Sequence, residues 1–570
     1  MNCSTLRPTS FELLICGMTL LFIPLMSLLL STIAFLSGGC ITAWTFPAAV
    51  IAALVLGHFY MYRCKSGNHA ITRYYLYTIL ALTLSLLSST IIYDYSYDGN
   101  TYHQGAIVGL INGWNPFYNP SQTGALWETH YAKAMEIVAA SIAMTTHRIE
   151  SGKAVNLLLI VSSIFITYYF LRHELPRLRC RKILMLTILL TSCPIVVLQS
   201  HTYYNDYTLY TLMLLSIIAL IHIIRRKGSR LWWYLLIASV LIGTVTKFTI
   251  AFYLYLTLAI AIIWTYITRE RTLSRRLFFT SAALFVIGFG IIGFHPYITN
   301  TIGWGNPFYP LIGGNIDIMT SNTPELYQDG NRITNWVRSL FFNAEGHGIW
   351  VPFINDSLHD YYIAYDARIA GLGAFFGYAL IISIALFIST TCHKQLSNEA
   401  NGHRRAAAII STLLIAGCFI FEQSWWMRYV PFLWAAPIVL LIGTEYIRHL
   451  PRPLHAIRNI VYTMLTTTIL LCCATSFIGG FAFTQRLGAI YHAITPQSTV
   501  EMYSYGNIVS FEHKLHERDI TFRRLKKGEL PTDTTLICVP FPNKALIYLD
   551  AETHSHLPQP DLMDFMLSNK

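Results

Sequence analysis

The chain has 570 residues, 54% of them hydrophobic and only 12% charged. A soluble protein carries roughly twice that share of charge, so the composition and the mean hydropathy of +0.46 exclude a soluble globular fold. The formal net charge of +11 does not point to nucleic acid, because most Lys and Arg sit in short clusters between long apolar runs, where they act as topology signals.

A membrane span needs roughly 20 mostly apolar residues. Such runs cover 12–36, 42–62, 74–93, 154–171, 183–199, 207–224, 231–246, 249–267, 277–294, 369–390, 406–422, 431–447 and 459–482. The first is too long for the apolar stretch of a cleavable signal and reads as an uncleaved span. Cys16, Cys193, Cys418, Cys472 and Cys473 lie within the runs and read as small apolar residues. No cysteine spacing resembles a zinc site, and the odd total of 11 argues against a disulfide framework.

Six basic clusters separate the runs: Arg63–Arg73, Arg172–Lys182, Arg225–Arg230, Arg269–Arg276, Lys394–Arg405 and Arg448–Arg458. If the runs alternate, all six fall on one side, which the positive-inside rule makes the cytoplasm. The expected fold is therefore an all-α polytopic membrane protein of about 13 transmembrane helices, N-terminus inside and C-terminus outside. Residues 1–483 would form the membrane domain, with long outer loops at 94–153 and 295–368. Residues 484–570 are polar enough for a small extracytoplasmic α/β domain. In it Thr535–Pro540 and Ala545–Leu549 read as strands and Glu512–Lys526 as a charged helix. No fixed-period repeat suggests a solenoid.

The chemically versatile residues fall in the outer segments. The first outer loop opens with Asp94 and Asp98 among tyrosines, followed by Tyr102, His103 and Gln104. If this stretch is helical, the two acids share a face. A carboxylate beside the low-dielectric slab has a raised pKa and improves as a base, while tyrosine rings and hydroxyls suit sugars. The bland alternative is an aromatic belt with two solvated acids. Gly113-Trp114-Asn115-Pro116 signals a turn, and Glu128, His130 and Lys133 follow it. From Tyr131 to His147 the apolar spacing is helical and reads as an amphipathic helix lying on the membrane. Lys133 and Lys153 are candidates for a lipid phosphate, against ordinary snorkelling. Tyr204 and Asp206 lie in a short outer loop, and Lys247 stands alone between two spans, where a cation is costly. Arg428 and Tyr429 lie between two late spans, and a guanidinium makes bidentate contacts to phosphate.

An early acidic outer loop and a late Arg-Tyr pair, here Arg428-Tyr429 with Pro431, resemble the GT-C glycosyltransferases. The stretch Asp98–Gln104 together with Gly113–Pro116 is similar to a bacterial branch of uncharacterised GT-C-like proteins. The resemblance covers roughly residues 74–447 and not the tail. It departs from the family in two extra spans before the acidic loop and in an acidic pair spaced four apart rather than two. It implies a multi-pass enzyme of the bacterial cytoplasmic membrane with its site on the periplasmic side. Such an enzyme moves a sugar from a polyprenyl-phosphate donor to a glycan, lipid or protein acceptor in cell-envelope assembly, by direct and inverting displacement. On that reading Asp98 is the base, with Asp94 supporting it or binding acceptor. Arg428 and Lys247 hold the phosphate, with Lys133 and Lys153 as weaker candidates. Some members use a divalent metal, Mg or Mn, for which Asp94, Asp98 and Asp206 are the available acids. An O-antigen-type polymerase or ligase is the main alternative. A transporter of lipid-linked sugars is disfavoured by span interiors nearly free of charge.

Overall fold

A computed structural model of the chain describes residues 11–121, 123–225, 230–313, 322–341, 365–368, 371–390, 398–447, 450–493, 499–503, 508–526, 529, 535–538 and 546–549. Within these residues each apolar run lies largely on helix. Among the described residues eight helices are long and apolar enough to cross a membrane: Phe11–Leu36, Thr45–Arg63, Asn68–Ile91, Ile149–Glu174, Tyr207–Arg225, Phe248–Ile267, Arg271–Ile292 and Arg452–His492. The chain is accordingly a multi-pass membrane protein.

The other five runs form shorter or more polar helices. Arg230–Thr244, Phe376–Ser389 and Pro431–Glu445 are too short to meet that length. Run 183–199 is split into Cys180–Thr191 and Pro194–Gln199, because Pro194 has no N–H with which to continue the ladder. Asn398–Gly417 is polar over its first turns.

Four of the six basic clusters meet at one end of the bundle. Arg225 pairs with Glu174 at 2.6 Å and contacts His403 at 3.1 Å, while Glu445 accepts Lys182 at 3.2 Å and Arg458 at 3.3 Å. The opposite end gathers the segments around Asp94, Tyr131, Tyr203, Lys247 and Arg428, and is called the site end below.

The helix expected to lie on the membrane from Tyr131 to His147 is instead interior. It runs Ala134–Thr146, and every residue from Ala134 through Ala143 is buried. Small residues allow this close fit: Ala139, Ala140, Ser141 and Ala143 leave room for neighbouring backbones, and Ser141 bonds Ser27 on the first helix at 2.8 Å. A helical period marks an apolar face but not whether lipid or protein covers it.

The tail carries a four-stranded sheet of β1 (Val500–Tyr503), β2 (Phe522–Arg524), β3 (Thr535–Cys538) and β4 (Leu546–Leu549), ordered β2-β1-β4-β3. Strand β1 pairs parallel with β2 and antiparallel with β4, and β3 and β4 pair antiparallel. The charged helix expected over Glu512–Lys526 is corrected to Val509–His516. Asp519 takes a left-handed φ of 57° and turns the chain, so Phe522–Arg524 becomes strand.

The boundary drawn at 483/484 falls inside an unbroken 42-residue helix, Arg452–Ala493. At 1.5 Å per residue it is about 63 Å long, roughly twice the hydrocarbon thickness, so its last turns project past the site end. There Phe483, Leu487 and Ile490 share one core with the tail's Met502, Phe511 and Leu515 and with Tyr95, Leu198 and Tyr204.

Candidate active site

The third spanning helix, Asn68–Ile91, brings the chain to the site end and stops there. Asp94 is then wholly buried and saturated. One carboxylate oxygen accepts the Ser96 N–H at 2.8 Å and the Ser96 hydroxyl at 2.6 Å. The other accepts the Tyr203 N–H at 3.0 Å and the Gln104 amide at 3.3 Å. This Asx turn sets the start of the next helix. Gly99 passes so close that a Cβ there would meet the Asp94 carboxylate at 2.0 Å. The chain then makes a π-helical turn, Gly99–His103. The expectation that Asp94 and Asp98 share a helical face is thus corrected. Asp94 precedes the helix and faces inward, whereas Asp98 points elsewhere. Burial pushes the Asp94 carboxyl above its ordinary pKa, against the nearby Lys153.

Asp98 faces a charged, tyrosine-rich site drawn from distant segments of the chain. Its carboxylate faces the Arg428 guanidinium at 3.4 Å, with side-chain exposures of 20% and 11%, so the pair is reachable from outside. Arg428 lies over the rings of Trp426 (4.3 Å), Tyr429 (5.2 Å) and Tyr204 (5.5 Å) and donates to the Tyr429 hydroxyl at 3.3 Å. Its Nε is buried without a hydrogen-bond partner. Alongside, Lys247 is ion-paired with Asp206 and lies 5.1 Å over Tyr429. Asp206 also accepts the Gln199 amide at 3.3 Å. Burial alone would favour the neutral forms of this pair. The charges outweigh it: Lys247 and Arg428 hold Asp206 below the carboxylate range, and Asp206 holds Lys247 above the lysine range.

Tyr102 sits within electrostatic reach of Asp98, Arg428, Tyr131 and Asp206, and burial followed by the Asp98 charge keeps its phenol protonated well past the usual range. The pocket therefore holds two carboxylates, two cations and a wall of tyrosines.

Other sequence candidates belong to different clusters. Lys153 donates to the Ile92 carbonyl at 2.6 Å and pairs with Glu150, in the group around Asp94. Gln104 bonds Asp94 and Asn100 and serves the same turn. His103 faces Glu136 at 2.5 Å. Lys133 donates to the Tyr131 carbonyl at 2.7 Å, lies 5.5 Å over Trp114, and is brought down to about 8 by burial against the pull of Glu136 and Glu128. Glu128 accepts the Ser121 hydroxyl, and His130 meets Asn300 at 2.9 Å. Neither Lys133 nor Lys153 opens on the Asp98–Arg428 pocket.

Sequence reasoning missed Tyr131, Trp426, Gln199 and Arg368. Arg368 lies 5.0 Å over Trp426, whose indole donates to the Asp366 carbonyl at 2.8 Å, so Trp426 has a guanidinium near it from each of two loops. The double Trp before Arg428 was the available signal.

The acids do not suit a metal. Asp94 is saturated by four donors, Asp206 is paired with Lys247, and Asp98 with Arg428. Among the described residues no three His, Cys, Asp or Glu side chains group as a ligand set.

No family model matches the chain, and no curated protein matches it. Among solved structures the chain is similar to ArnT from Cupriavidus metallidurans in the apo state. The identity is 13% and the TM-score 0.38, over 86% of this chain and 100% of that one. A likeness of that degree identifies neither activity nor substrate.

Proposed function

We propose that this protein is a GT-C-type glycosyltransferase that moves a sugar from a polyprenyl-phosphate donor to an acceptor hydroxyl at the site end of the membrane. The reading takes that end as the outer, periplasmic face of a bacterial cytoplasmic membrane, because four of the six basic clusters gather at the other end. The observation that carries it is the loose 3.4 Å pair between Asp98 and Arg428, which joins the early acidic loop to the late Arg-Tyr segment.

The chemistry follows from the charges. In the free pocket Asp98 and Asp206 balance Arg428 and Lys247. A donor phosphate adds negative charge and competes for Arg428, whose Nε lacks a partner. Asp98 is then released to accept the proton of the acceptor hydroxyl as it attacks the anomeric carbon in line. The C–O bond to the carrier phosphate breaks, and its charge stays with Arg428 and Lys247. Inversion at the anomeric carbon is the stereochemical outcome. Tyr102, Tyr131, Tyr204 and Tyr429 provide ring faces and hydroxyls for the sugar.

The test is reconstitution in nanodiscs with radiolabelled polyprenyl-phosphate sugars and acceptor glycolipids, comparing wild type with Asp98→Asn. Transfer by wild type and its loss in the variant support the reading. Equal turnover by both removes it.

A further inference from the structure

Ser510, Lys514 and Glu517 are spaced four and three residues apart, along one face of the tail helix Val509–His516 and its C-cap. All three reach into the loops that carry the pocket. Lys514 is 0% exposed, and its ammonium meets Glu150 at 2.6 Å and the Asn100 side-chain oxygen at 3.1 Å. The Ser510 hydroxyl donates to the Asn100 carbonyl at 3.0 Å. Glu517 accepts the Ile149 N–H at 2.5 Å. Glu150 in turn accepts the Asp94 N–H at 3.0 Å.

Asn100 is where these contacts converge. Its amide donates to the Asp94 carbonyl at 2.8 Å and the Ser96 carbonyl at 2.9 Å, and its oxygen takes Gln104 at 3.1 Å as well as Lys514. It lies two residues beyond Asp98, inside the π-helical turn. A buried ammonium is costly unless fully compensated. Glu150 and Asn100 compensate this one when the tail and the acidic loop are docked together.

We propose that the tail helix is a latch on the acidic loop and that Lys514 is a positioning residue for Asp98, acting through Asn100 and Glu150. The kinetic consequence rests on the transferase reading; the latch itself does not. A charged pin suits this task better than an apolar contact, because its geometry is fixed by named acceptors and a shift breaks its bonds to Glu150 and Asn100. Displacement of a reacting group by about 1 Å costs on the order of 10²-fold in rate.

The experiment uses the full chain in nanodiscs, with Lys514→Ala and Lys514→Arg. Hydrogen exchange reads the latch: backbone amides of 94–104 should lose protection in Lys514→Ala, while those of Phe11–Leu36 keep it. Turnover reads the consequence: kcat should fall roughly 10- to 100-fold with the donor KM within about twofold. Lys514→Arg should recover most of both. Unchanged protection of 94–104 in Lys514→Ala overturns the latch. Lost protection with wild-type kcat overturns the positioning role while the transferase reading stands. A wild type that transfers no sugar removes the transferase reading, and exchange still decides the latch.

Discussion

Replacing Arg428 by Lys keeps the charge and removes the planar fork. In the structure the guanidinium uses one Nη for Asp98 at 3.4 Å and the other for the Tyr429 hydroxyl at 3.3 Å, and lies over Trp426 at 4.3 Å. Its Nε is buried without a hydrogen-bond partner, and on the proposed reading a phosphate oxygen would take it. An ammonium at the same place retains a point charge and part of the cation–π attraction but makes no bidentate contact. Losing one charge-assisted hydrogen bond to the donor costs about 1.5–3 kcal/mol, which is roughly 10- to 150-fold in donor Kd. Arg428→Ala should cost at least as much and leave Asp98 without its cation. The assay is equilibrium binding of a labelled polyprenyl-phosphate sugar to purified protein, run beside exchange protection of Asn68–Ile91 to show that the fold persists. If Arg428→Ala binds donor as tightly as wild type, the guanidinium does not hold the phosphate and the assignment fails.

Asp98→Asn keeps the shape of the side chain and removes the base, so donor binding should persist while turnover falls roughly 10²–10⁴-fold; wild-type turnover would refute the assignment. Asp94→Asn should act differently: its carboxylate accepts four hydrogen bonds, so thermal stability should fall, checked by the melting temperature in detergent. Topology is read with Arg523→Cys and Gly402→Cys in a background where Cys3, Cys40, Cys180, Cys392, Cys473 and Cys538 are serine. An impermeant maleimide should label the first from outside and not the second, and the reverse pattern would invert the proposed orientation. A pH prediction concerns Glu517, which burial lifts from 4.5 to about 7 against the opposing Ile149 N–H, Lys514 and Arg148, with Glu150 adding to the rise. The docked state holds an extra proton between those values. Docking is therefore strongest below about 4.5 and weakens as pH rises through about 7, by at most ~1.4 kcal/mol per unit. Exchange protection of 508–520, corrected for its intrinsic pH dependence, should show that slope in wild type and lose it in Glu517→Gln.

The spans and the pocket's charged members were legible for physical reasons that do not apply to the rest. Apolar length identifies a helix whatever its neighbours are, which is why the runs reappear on helices among the described residues, eight of them long and apolar enough to span. An isolated Arg or Lys between two spans is expensive unless something compensates it, and Arg428 and Lys247 stood out on that ground. Their partners did not. Asp98 and Arg428 are 330 positions apart, and nothing in either segment names the other. Asp94 illustrates the converse. Its residue type is right for a base, but Ser96 two positions on and Tyr203 over 100 positions on take up its lone pairs. A carboxylate is free for chemistry only if the chain leaves it free, and that depends on three-dimensional neighbours. Lys514 was hidden for the same reason. In a charged tail stretch it reads as a solvated lysine, yet its helix packs against the acidic loop and buries it completely. The pocket's acids thus divide by what saturates them. Asp94 is held by backbone and amide donors that no substrate would displace. Asp98 is held by a single guanidinium, at a distance from which a phosphate can draw it away.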